Sequence, residues 1–540
     1  MKTKRSSQVI VILFIVMTIH SCGLFLQKNG IKNYSLKENI DKKGLNKYQY
    51  DFVYLGHLLE QGFPQIDSIF PSAERQKEAA TIITALAGDD VEQIDFAIQS
   101  RKFLSHLHNE HTSISIQSTF STVYPFTIHI SYNNWYLQNI DRKKDSLFIG
   151  KRILEINEIP VTIIENRLFD FTTAENKINR QYAVRSIQFY NKPLYLKEVN
   201  VIKTLTESIK ITFADSTFVF IEPVNADKKL DLYSITFPAN EITQRAHEIY
   251  SYQTYPNQDF GYLQFRRCHD EIDVLESIDS YMKPWLQPIT KRYVKRQFKK
   301  EKPSKRMAQY YHPAYPAFKD FVWELIDSLN NNNINNLVID LRANPGGNLL
   351  LGVQLMYFLT PKTDLKDFAR YAYTSDIYKS YFPIEYNHLK EIYPNGVPEN
   401  KLVLENKNKA LFDKITDKAS PYYIPANRPV FEGKVYVIAN YTTGSAAAML
   451  ATLIQDNEIG IIIGTSVGNN PTGATAYTPF KLPRTNARIS IATMYLERPN
   501  ASNGKILQPD YWVEYSLADL TMGKDPYLEK IQVLIKGEEE

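Results

Sequence analysis

The segment "NLVIDLRANPGG", residues 336–347, determines the fold of the C-terminal half of the chain. Its first residues form a continuous apolar run, which is typical of a strand buried on both faces of a parallel sheet. This strand ends in Asp340 and Arg342, and the turn that follows exposes the backbone at Gly346 and Gly347. Adjacent glycines allow close approach of a ligand, so their amides can donate to its oxygen. By itself, the segment is more often a tight turn than a site.

A second segment, "YTTGSAAAMLA" (441–451), lies about a hundred residues further on. The apolar run "KVYVIAN" before it predicts a strand, and "SAAAMLATLIQDN" predicts a helix, so Ser445 lies at a strand-to-helix turn. Its hydroxyl and the amide of Ala446 would face the same space at the positive end of the helix. An acyl-transfer enzyme needs its nucleophile at such a place. Considered alone, the segment favours an N-cap serine instead.

Around these segments the chain alternates strand and helix, which predicts a C-terminal α/β domain at residues 236–540. The strands are predicted at "FGYLQF", "KVYVIA", "IGIIIG" and "RISIATMYL", and helices at "AFKDFVWELIDSL" and "DPYLEKIQVLIKG". A basic insertion is expected at residues 290–315, because residues 290–306 hold nine basic side chains and one acidic one. Such a run is usually a solvated face or loop, and contact with anionic lipid is its alternative.

The N-terminal half divides into two further regions. Apolar residues three and four apart predict a helical domain at residues 45–111. Alternating patterns predict a β-rich region at residues 112–235. Within it, "DSLFIGKRILEINEIPV" (145–161) reads as strand, turn, strand, and it resembles the corresponding segment of peptide-binding PDZ modules; a generic β-hairpin is the alternative.

The N-terminus has the pattern of a bacterial lipoprotein signal peptide at residues 1–22. A basic start and the apolar run "VIVILFIVMTI" precede "IHSC", which would place a lipid on Cys22. A plain signal peptide or an uncleaved anchor is the alternative. Residues 23–44 would be a polar tether outside the cytoplasm, and Gly23 favours the outer membrane. Cys268 is then the only other cysteine and is expected to be structural.

Length and charge narrow the class of protein. The 540 residues predict two to four domains, and a net charge of +4 over this length gives no reason to expect a nucleic-acid partner. The sequence implies no cofactor, and it leaves the oligomeric state open. The expected fold class is α+β and multidomain.

Together, "NLVIDLRANPGG" and "TTGSAAA…IQDN" resemble the C-terminal processing (tail-specific) serine peptidases of family S41. Supporting resemblances lie at "LSHLHNEHTSISI" (104–116) and "GKILQPDYWVEYSLADLTMGKDPYLEKI" (504–531). The resemblance implies a catalytic domain of the ClpP/crotonase-like type. It also implies that Ser445 is the nucleophile and that the amides of Ala446 with Gly346 or Gly347 form the oxyanion hole.

The sequence departs from this family at the catalytic base. The family's lysine position falls on Asn469 or Asn470, and Lys481 is a poor positional match. The tricorn-type branch of the family uses a histidine, and its position falls on His111, whose imidazole suits general-base work near neutral pH. A loop or strand histidine without a catalytic role is the alternative for His111.

Two other features of the predicted site stay open. His106, His108 and His111 lie within six residues, yet no fourth ligand cluster is visible, so no metal is expected. The acid that would orient the base is not assigned. The positions considered for it are Glu110, Glu497, Asn503, Gln508 and Asp510.

The sequence therefore predicts a lipid-anchored serine-type endopeptidase of the cell envelope that acts on peptides or unfolded proteins. The first alternative is an inactive relative that binds peptides or serves as a scaffold, since the lysine is lost and no acid is assigned. A carbohydrate-binding lipoprotein is the third class, and it leaves "DLRANPGG" unexplained.

Overall fold

The computed structural model describes residues 44–115, 121–227, 229–235, 237–244, 248–300, 307–405 and 410–537. The predicted signal peptide with Cys22, the tether up to residue 43 and residues 301–306 of the basic insertion lie outside these ranges. No helix within the described ranges combines the length and the apolar character needed to cross a bilayer.

The N-terminal region is helical, as the spacing of its apolar residues predicts. Its helices are α1 (Lys47–Gly62), α2 (Ile66–Ile69), α3 (Ser72–Ala85) and α4 (Gln93–Ser105). α1 begins at a capping box, in which Asn46 accepts from the Gln49 amide and the Gln49 side chain accepts from the Asn46 amide. Leu55 and Leu59, four apart on its inner face, are fully buried. A short strand, β1 (Ser113–Ser115), follows the helices.

The middle region contains both strands and helices. The strands are β2 (Thr122–Val123), β3 (Phe126–Ser131), β4 (Asn134–Asp141), β5 (Arg152–Ile156), β6 (Ile159–Pro160), β7 (Ile209–Phe213), β8 (Phe218–Ile221), β9 (Val224–Asn225) and β10 (Leu232–Ser234). The helices are α5 (Val161–Leu168), α6 (Lys177–Ile187) and α7 (Pro193–Glu198). Seven strands form one sheet in the order β10–β4–β5–β7–β8, with β3 on β4 and β6 on β5.

The region expected to be β-rich, residues 112–235, therefore also contains helices that were not predicted, between residues 161 and 198. Val161, Ile164 and Leu168 are buried at helical spacing, so they form one face of α5 rather than alternate faces of a strand. The start of "DSLFIGKRILEINEIPV" is a 3₁₀ turn at Ser146–Phe148 instead of a strand.

The C-terminal region is built on a six-stranded sheet. Its helices are α8 (Glu271–Tyr281), α9 (Gln287–Phe298), α10 (Phe318–Asn331), α11 (Leu349–Phe358), α12 (Asp376–Tyr381), α13 (Pro383–Ile392), α14 (Ala410–Thr416), α15 (Ala446–Asp456), α16 (Leu517–Met522) and α17 (Pro526–Lys536). Its strands are β11 (Tyr250–Tyr255), β12 (Phe260–Phe265), β13 (Asn336–Asp340), β14 (Ala369–Tyr373), β15 (Leu402–Leu404), β16 (Lys434–Ala439), β17 (Ile461–Gly464), β18 (Gly473–Thr475), β19 (Thr478–Lys481), β20 (Arg488–Ile491), β21 (Met494–Glu497) and β22 (Tyr511–Trp512).

The order of the central sheet explains where a site can form. The strands run β11–β12–β13–β16–β17–β22, and all pairs after β11–β12 are parallel. α10, α11 and α15 pack on one face, and α17 packs on the other. The carboxyl ends of β12, β13 and β16 therefore meet at one edge, where ligands bind in open parallel sheets.

One expectation for this region needs correction. "RISIATMYL" forms two strands, because the chain leaves the sheet at Ala492 and Thr493: β20 pairs with β19, and β21 pairs with β14. The described start of the basic insertion is the solvated face of a helix, one of the two forms expected for it. Residues 287–298 form α9, which keeps Val294 and Phe298 inside and Lys295 outside.

β1 ties the N-terminal region to the C-terminal one. Ser113–Ser115 pairs antiparallel with Arg488–Ser490, and Thr112 Oγ1 accepts a hydrogen bond from the Ala492 amide at 3.0 Å. This pairing carries His111, the residue just before Thr112, to the C-terminal domain.

A buried ion pair fixes the loop after β21. Arg498 binds Asp456 at 2.6 Å with both side chains fully buried. Replacing Arg498 with Met should lower the free energy of unfolding by about 3–5 kcal/mol, because Asp456 would remain buried without its partner. Arg142→Met is the matched control, since its partner Asp231 is exposed and such pairs are worth about 0–1 kcal/mol. Thermal unfolding measures both, and equal shifts would contradict the assignment.

Candidate active site

Ser445 occupies a strained turn between β16 and α15. Its φ of 48° and ψ of −125° lie in a region that a non-glycine residue occupies only at a cost of about 1–3 kcal/mol. The side chain is exposed and makes no capping hydrogen bond, so the N-cap interpretation is wrong. Hydrogen bonds from two backbone amides hold the turn, because the Gly444 amide donates to the Asn344 carbonyl at 2.9 Å and the Ser445 amide donates to the Asn469 side chain (Oδ1) at 2.7 Å.

The "ANPGG" turn packs directly against Ser445. A Cβ atom at Gly346 would lie 2.7 Å from both the Ser445 Cβ and the Ala446 nitrogen, and Gly346 has a φ of 96°. Only glycine fits this position without displacing backbone. The alanines that begin α15 are small for a related reason, since Ala446 and Ala447 are buried beneath the same turn.

Two of the three predicted oxyanion amides are available. The Gly346 amide donates to Asn344 Oδ1 at 2.8 Å, so it is already engaged. The amides of Gly347 and Ala446 have no hydrogen-bond partner among the described residues. An amide at the first position of a helix normally has no intrahelical partner. The structure thus narrows the predicted pair of donors to Gly347 and Ala446.

Polar side chains join the two turns beneath the site. Arg342 binds Asp340 at 2.6 Å and Asp525, at the start of α17, at 2.8 Å. The Arg342 charge holds the pKa of Asp525 below its usual range against the opposing effect of burial. Thr442 Oγ1 accepts from the Ala343 amide, and Thr443 Oγ1 donates to the Leu341 carbonyl.

The asparagines at the lysine position contact the site. Asn469 Oδ1 binds the Ser445 amide, as described above, and the Asn470 amide donates to Glu175 Oε2 at 2.5 Å. Lys481 ends β19 and pairs with Arg488 in another sheet.

His111 lies in the turn before β1. Its Nδ1 atom is buried without a hydrogen-bond partner among the described residues, and burial lowers its pKa below the ordinary value. No hydrogen bond joins His111 to Ser445 in the described structure. The segment that carries His111 nevertheless reaches the Ser445 side of the molecule. Asn109 Nδ2 donates to Glu175 Oε1 at 3.3 Å, and Glu175 binds Asn470, whose neighbour Asn469 contacts Ser445.

The other two histidines of this segment have partners of their own. His106 binds Glu78 at 2.8 Å, and this hydrogen bond raises its pKa. His108 Nδ1 accepts from Arg180 at 2.6 Å, and burial lowers its pKa to about 4. Within the described ranges, no group of three acidic, histidine or cysteine side chains could hold a metal.

The positions considered for the triad acid have other roles. Glu497 accepts from the Tyr371 hydroxyl, Asn503 donates to Asp456, and Asp510 accepts from the Ile462 amide. The Gln508 carbonyl accepts from Gln455, and Glu110 lies beside Glu175. None of the five is hydrogen-bonded to His111.

A histidine–carboxylate pair at the site was missed by sequence reasoning. His269 Nδ1 lies 2.5 Å from Asp273 Oδ2, and its Cε1 lies 2.9 Å from the Cβ position of Gly347. The neighbouring Cys268 is fully buried and burial raises its pKa to about 12, in keeping with the structural role expected for it. The spacing of histidine and aspartate four apart was the available signal.

The sequence model of peptidase family S41 matches residues 307–513, which include Gly347, Ser445 and Asn469. None of the curated proteins matches the chain. Among solved structures, mature CPAF is similar with a TM-score of 0.54 and 13% identity, covering 92% of this chain and 98% of that one. Mature CPAF in complex with lactacystin is similar with a TM-score of 0.56 and 14% identity, covering 91% and 99%. The fold is therefore shared over nearly the whole length.

The packing of Gly346 against Ser445 can be tested by substitution. Gly346→Ala should reduce the reactivity of the Ser445 hydroxyl by about 10²–10³-fold, the size of losing one oxyanion donor, because the new Cβ would displace the Ala446 amide. Gly444→Ala is the matched control, since its added Cβ would meet nothing closer than 3.6 Å. The rate of labelling by a fluorophosphonate measures both. Equal rates for the two variants would refute the packing argument.

Proposed function

We propose that this chain cleaves peptide bonds through an acyl-enzyme on Ser445, with His111 as general base. The match of the family S41 model to residues 307–513 supports a serine-type peptidase. The observation that carries the proposal is the geometry around Ser445. An exposed hydroxyl in a strained turn lies beside the unpartnered Ala446 amide at the start of α15, and Gly347, in the glycine turn that packs against Ser445, has a second unpartnered amide. Two such donors can stabilise the oxyanion that develops on a substrate carbonyl when the hydroxyl attacks it.

The proposed reaction needs only groups that the chain supplies, together with water. Ser445 Oγ attacks the peptide carbonyl as its proton passes to the imidazole, and the amides of Gly347 and Ala446 stabilise the oxyanion. The imidazolium then protonates the departing amine, which leaves the acyl group on Ser445. Water, deprotonated by the same imidazole, hydrolyses this ester and restores the hydroxyl.

His111 is supported as the base by its protonation state and by the position of its segment. A base must be uncharged to accept a proton, and burial lowers the pKa of His111, so the ring is neutral at pH 7. Its segment contacts Glu175, which in turn binds the loop beside Ser445. The competing base is His269, which already has a carboxylate on Nδ1 and lies beside Gly347.

The finer organisation supports an endopeptidase that acts on extended chains. We assign a helical N-terminal domain, a PDZ-like middle region and a catalytic domain of the ClpP/crotonase-like type. The middle sheet ends in β8, whose outward side chains Phe218 and Phe220 are half exposed. A peptide or unfolded protein can pair with such an edge as an added strand, with apolar side chains seated on the phenylalanines.

Fluorophosphonate labelling of the full chain tests the nucleophile and the base together. The wild type should label and Ser445→Ala should not, while His111→Ala should label about 10²–10⁴-fold more slowly because the general base is gone. In the wild type, the labelling rate should fall on acidification only below pH 6.5. The reason is that the pKa of His111 is lowered, and the ring stops acting as a base only when it is protonated.

Three outcomes would contradict the proposal in different ways. A wild type that neither labels nor cleaves any unfolded peptide supports the inactive, peptide-binding alternative. Labelling of Ser445→Ala would place the nucleophile elsewhere. Loss of labelling in His269→Ala with retention in His111→Ala would assign the base to His269.

We propose in addition that the protein is anchored to the cell envelope, preferably the outer membrane, by a lipid on Cys22. The sequence before Cys22 supports this, and the protein should partition into detergent when made in a bacterial host. Cys22→Ala should move it to the aqueous phase. Cys268→Ala is the control, because Cys268 is buried and should leave partition unchanged. Equal partition of wild type and Cys22→Ala would contradict the anchor.

A further inference from the structure

Glu175 lies where three separate parts of the chain meet. Its carboxyl group accepts from the Asn470 amide at 2.5 Å through Oε2 and from Asn109 Nδ2 at 3.3 Å through Oε1. Asn109 also donates to the Ala474 carbonyl at 2.6 Å. One carboxyl group therefore joins the segment that carries His111 to the loop after β17.

The first turn of α6 holds the same loop. Asn176 Nδ2 donates to the Val467 carbonyl at 3.0 Å and to Asn470 Oδ1 at 3.2 Å. Asn179 Nδ2 donates to the Gly468 carbonyl. Together with Glu175, these side chains fix residues 467–470 against the middle region.

This loop in turn contacts the nucleophile. Asn469 Oδ1 accepts from the Ser445 amide at 2.7 Å, and the Gly468 amide donates to the Thr443 carbonyl at 3.0 Å. The strained φ of Ser445 persists only if its surroundings hold it, and the Asn469 contact is the one that reaches its own amide. A loosened loop would free the Ser445 backbone to relax.

We propose that Glu175 is a positioning residue for the hydrolytic reaction. Its carboxyl group keeps the loop at Asn469–Asn470 in contact with Ser445 and keeps the His111 segment next to that loop. The proposal rests on Ser445 being the nucleophile. It gives a role to the position at which the family's lysine is replaced by asparagine. Asparagine cannot serve as the base there. The Asn469 side chain contacts Ser445 instead, and the Asn470 backbone amide contacts Glu175.

The protonation of Glu175 gives this role a measurable signature. Burial raises the pKa of Glu175 to about 8, well above its ordinary range, and the charge of the neighbouring Glu110, whose own pKa burial raises to about 7, acts in the same direction. The Glu175 carboxyl group also faces the Asn109 side chain and the Glu110 backbone, while Arg180 of α6 binds the Ala174 carbonyl and His108 instead.

The sign follows from the raised pKa. A carboxyl group that is neutral when folded and ionised when unfolded contributes stability below its unfolded pKa, and that contribution falls as the pH rises toward about 8. Above that pH a second charge enters an enclosed site next to Glu110, so the loop should loosen. The rate of Ser445 labelling should therefore fall on the alkaline side of about pH 8.

The test compares Glu175→Gln and Glu175→Ala in the full chain. Glu175→Gln keeps an oxygen for the Asn470 amide and should label at nearly the wild-type rate at pH 7, but without the alkaline fall. Glu175→Ala should lose about tenfold or more of the labelling rate, because a buried amide loses its acceptor. Glu165→Gln and Glu165→Ala are matched controls, since Glu165 is a buried carboxylate of the middle region bound to Trp135 and Gln181, and they should keep the alkaline fall.

Hydrogen exchange of residues 467–470 supplies a readout that does not need activity. Exchange there should rise in Glu175→Ala and stay low in Glu175→Gln. An unchanged alkaline limb in Glu175→Gln, or unchanged exchange in Glu175→Ala, would overturn the proposal. A wild type that fails to label would instead refute the nucleophile, and the exchange result would still decide whether Glu175 holds the loop.

Discussion

The close packing of the glycine turn after β13 against the strained turn after β16 is the constraint on which the site depends. The two turns follow neighbouring parallel strands, which the sheet holds about 4.8 Å apart, so the turns leave the sheet side by side. At that separation, any side chain on Gly346 would meet Ser445 and the first amide of α15. The residues that look merely small in the sequence are small because two backbones approach each other closely at this point.

The surrounding polar network keeps this arrangement rigid. Arg342 ties the end of β13 to the start of α17, and Asn344 binds both the Gly346 amide and the Phe265 carbonyl. These contacts join the carboxyl ends of β12 and β13 and fasten β13 to α17. They also use the Gly346 amide, which leaves the amides of Gly347 and Ala446 as the proposed oxyanion donors. A preorganised pair of donors of this kind requires little reorganisation during reaction.

Much of the fold could be predicted from periodicity, because the buried strands and amphipathic helices of the C-terminal domain are local patterns. β13, β16 and α15 lie where "NLVIDLR", "KVYVIA" and "SAAAMLATLIQDN" indicate them. The pairing of β1 with β20 could not be predicted, since it joins residues 377 positions apart. The interruption of "RISIATMYL" also depends on partners from distant segments, because Ala492 donates to Thr112.

The residues of the candidate site likewise divide into those that a local sequence pattern indicates and those that only contacts between distant segments bring together. Ser445 could be found because a serine between a buried strand and a small-residue helix is a local signal. The choice between Gly346 and Gly347 needed knowledge of which amide is already bonded. The His269–Asp273 pair and Glu175 gave no strong signal, since their relation to the site comes from the sheet order and from the docking of α6. The acid for His111 stays unassigned for a physical reason: its Nδ1 has no partner among the described residues.

The central claim is that Ser445 becomes acylated during hydrolysis. Mass spectrometry of the full chain, quenched in acid while it turns over a peptide ester, tests this most directly. The account predicts an adduct of the acyl group's mass on the peptide that contains Ser445, and no such adduct in Ser445→Ala. Hydrolysis without an adduct, or an adduct on another residue, would contradict it.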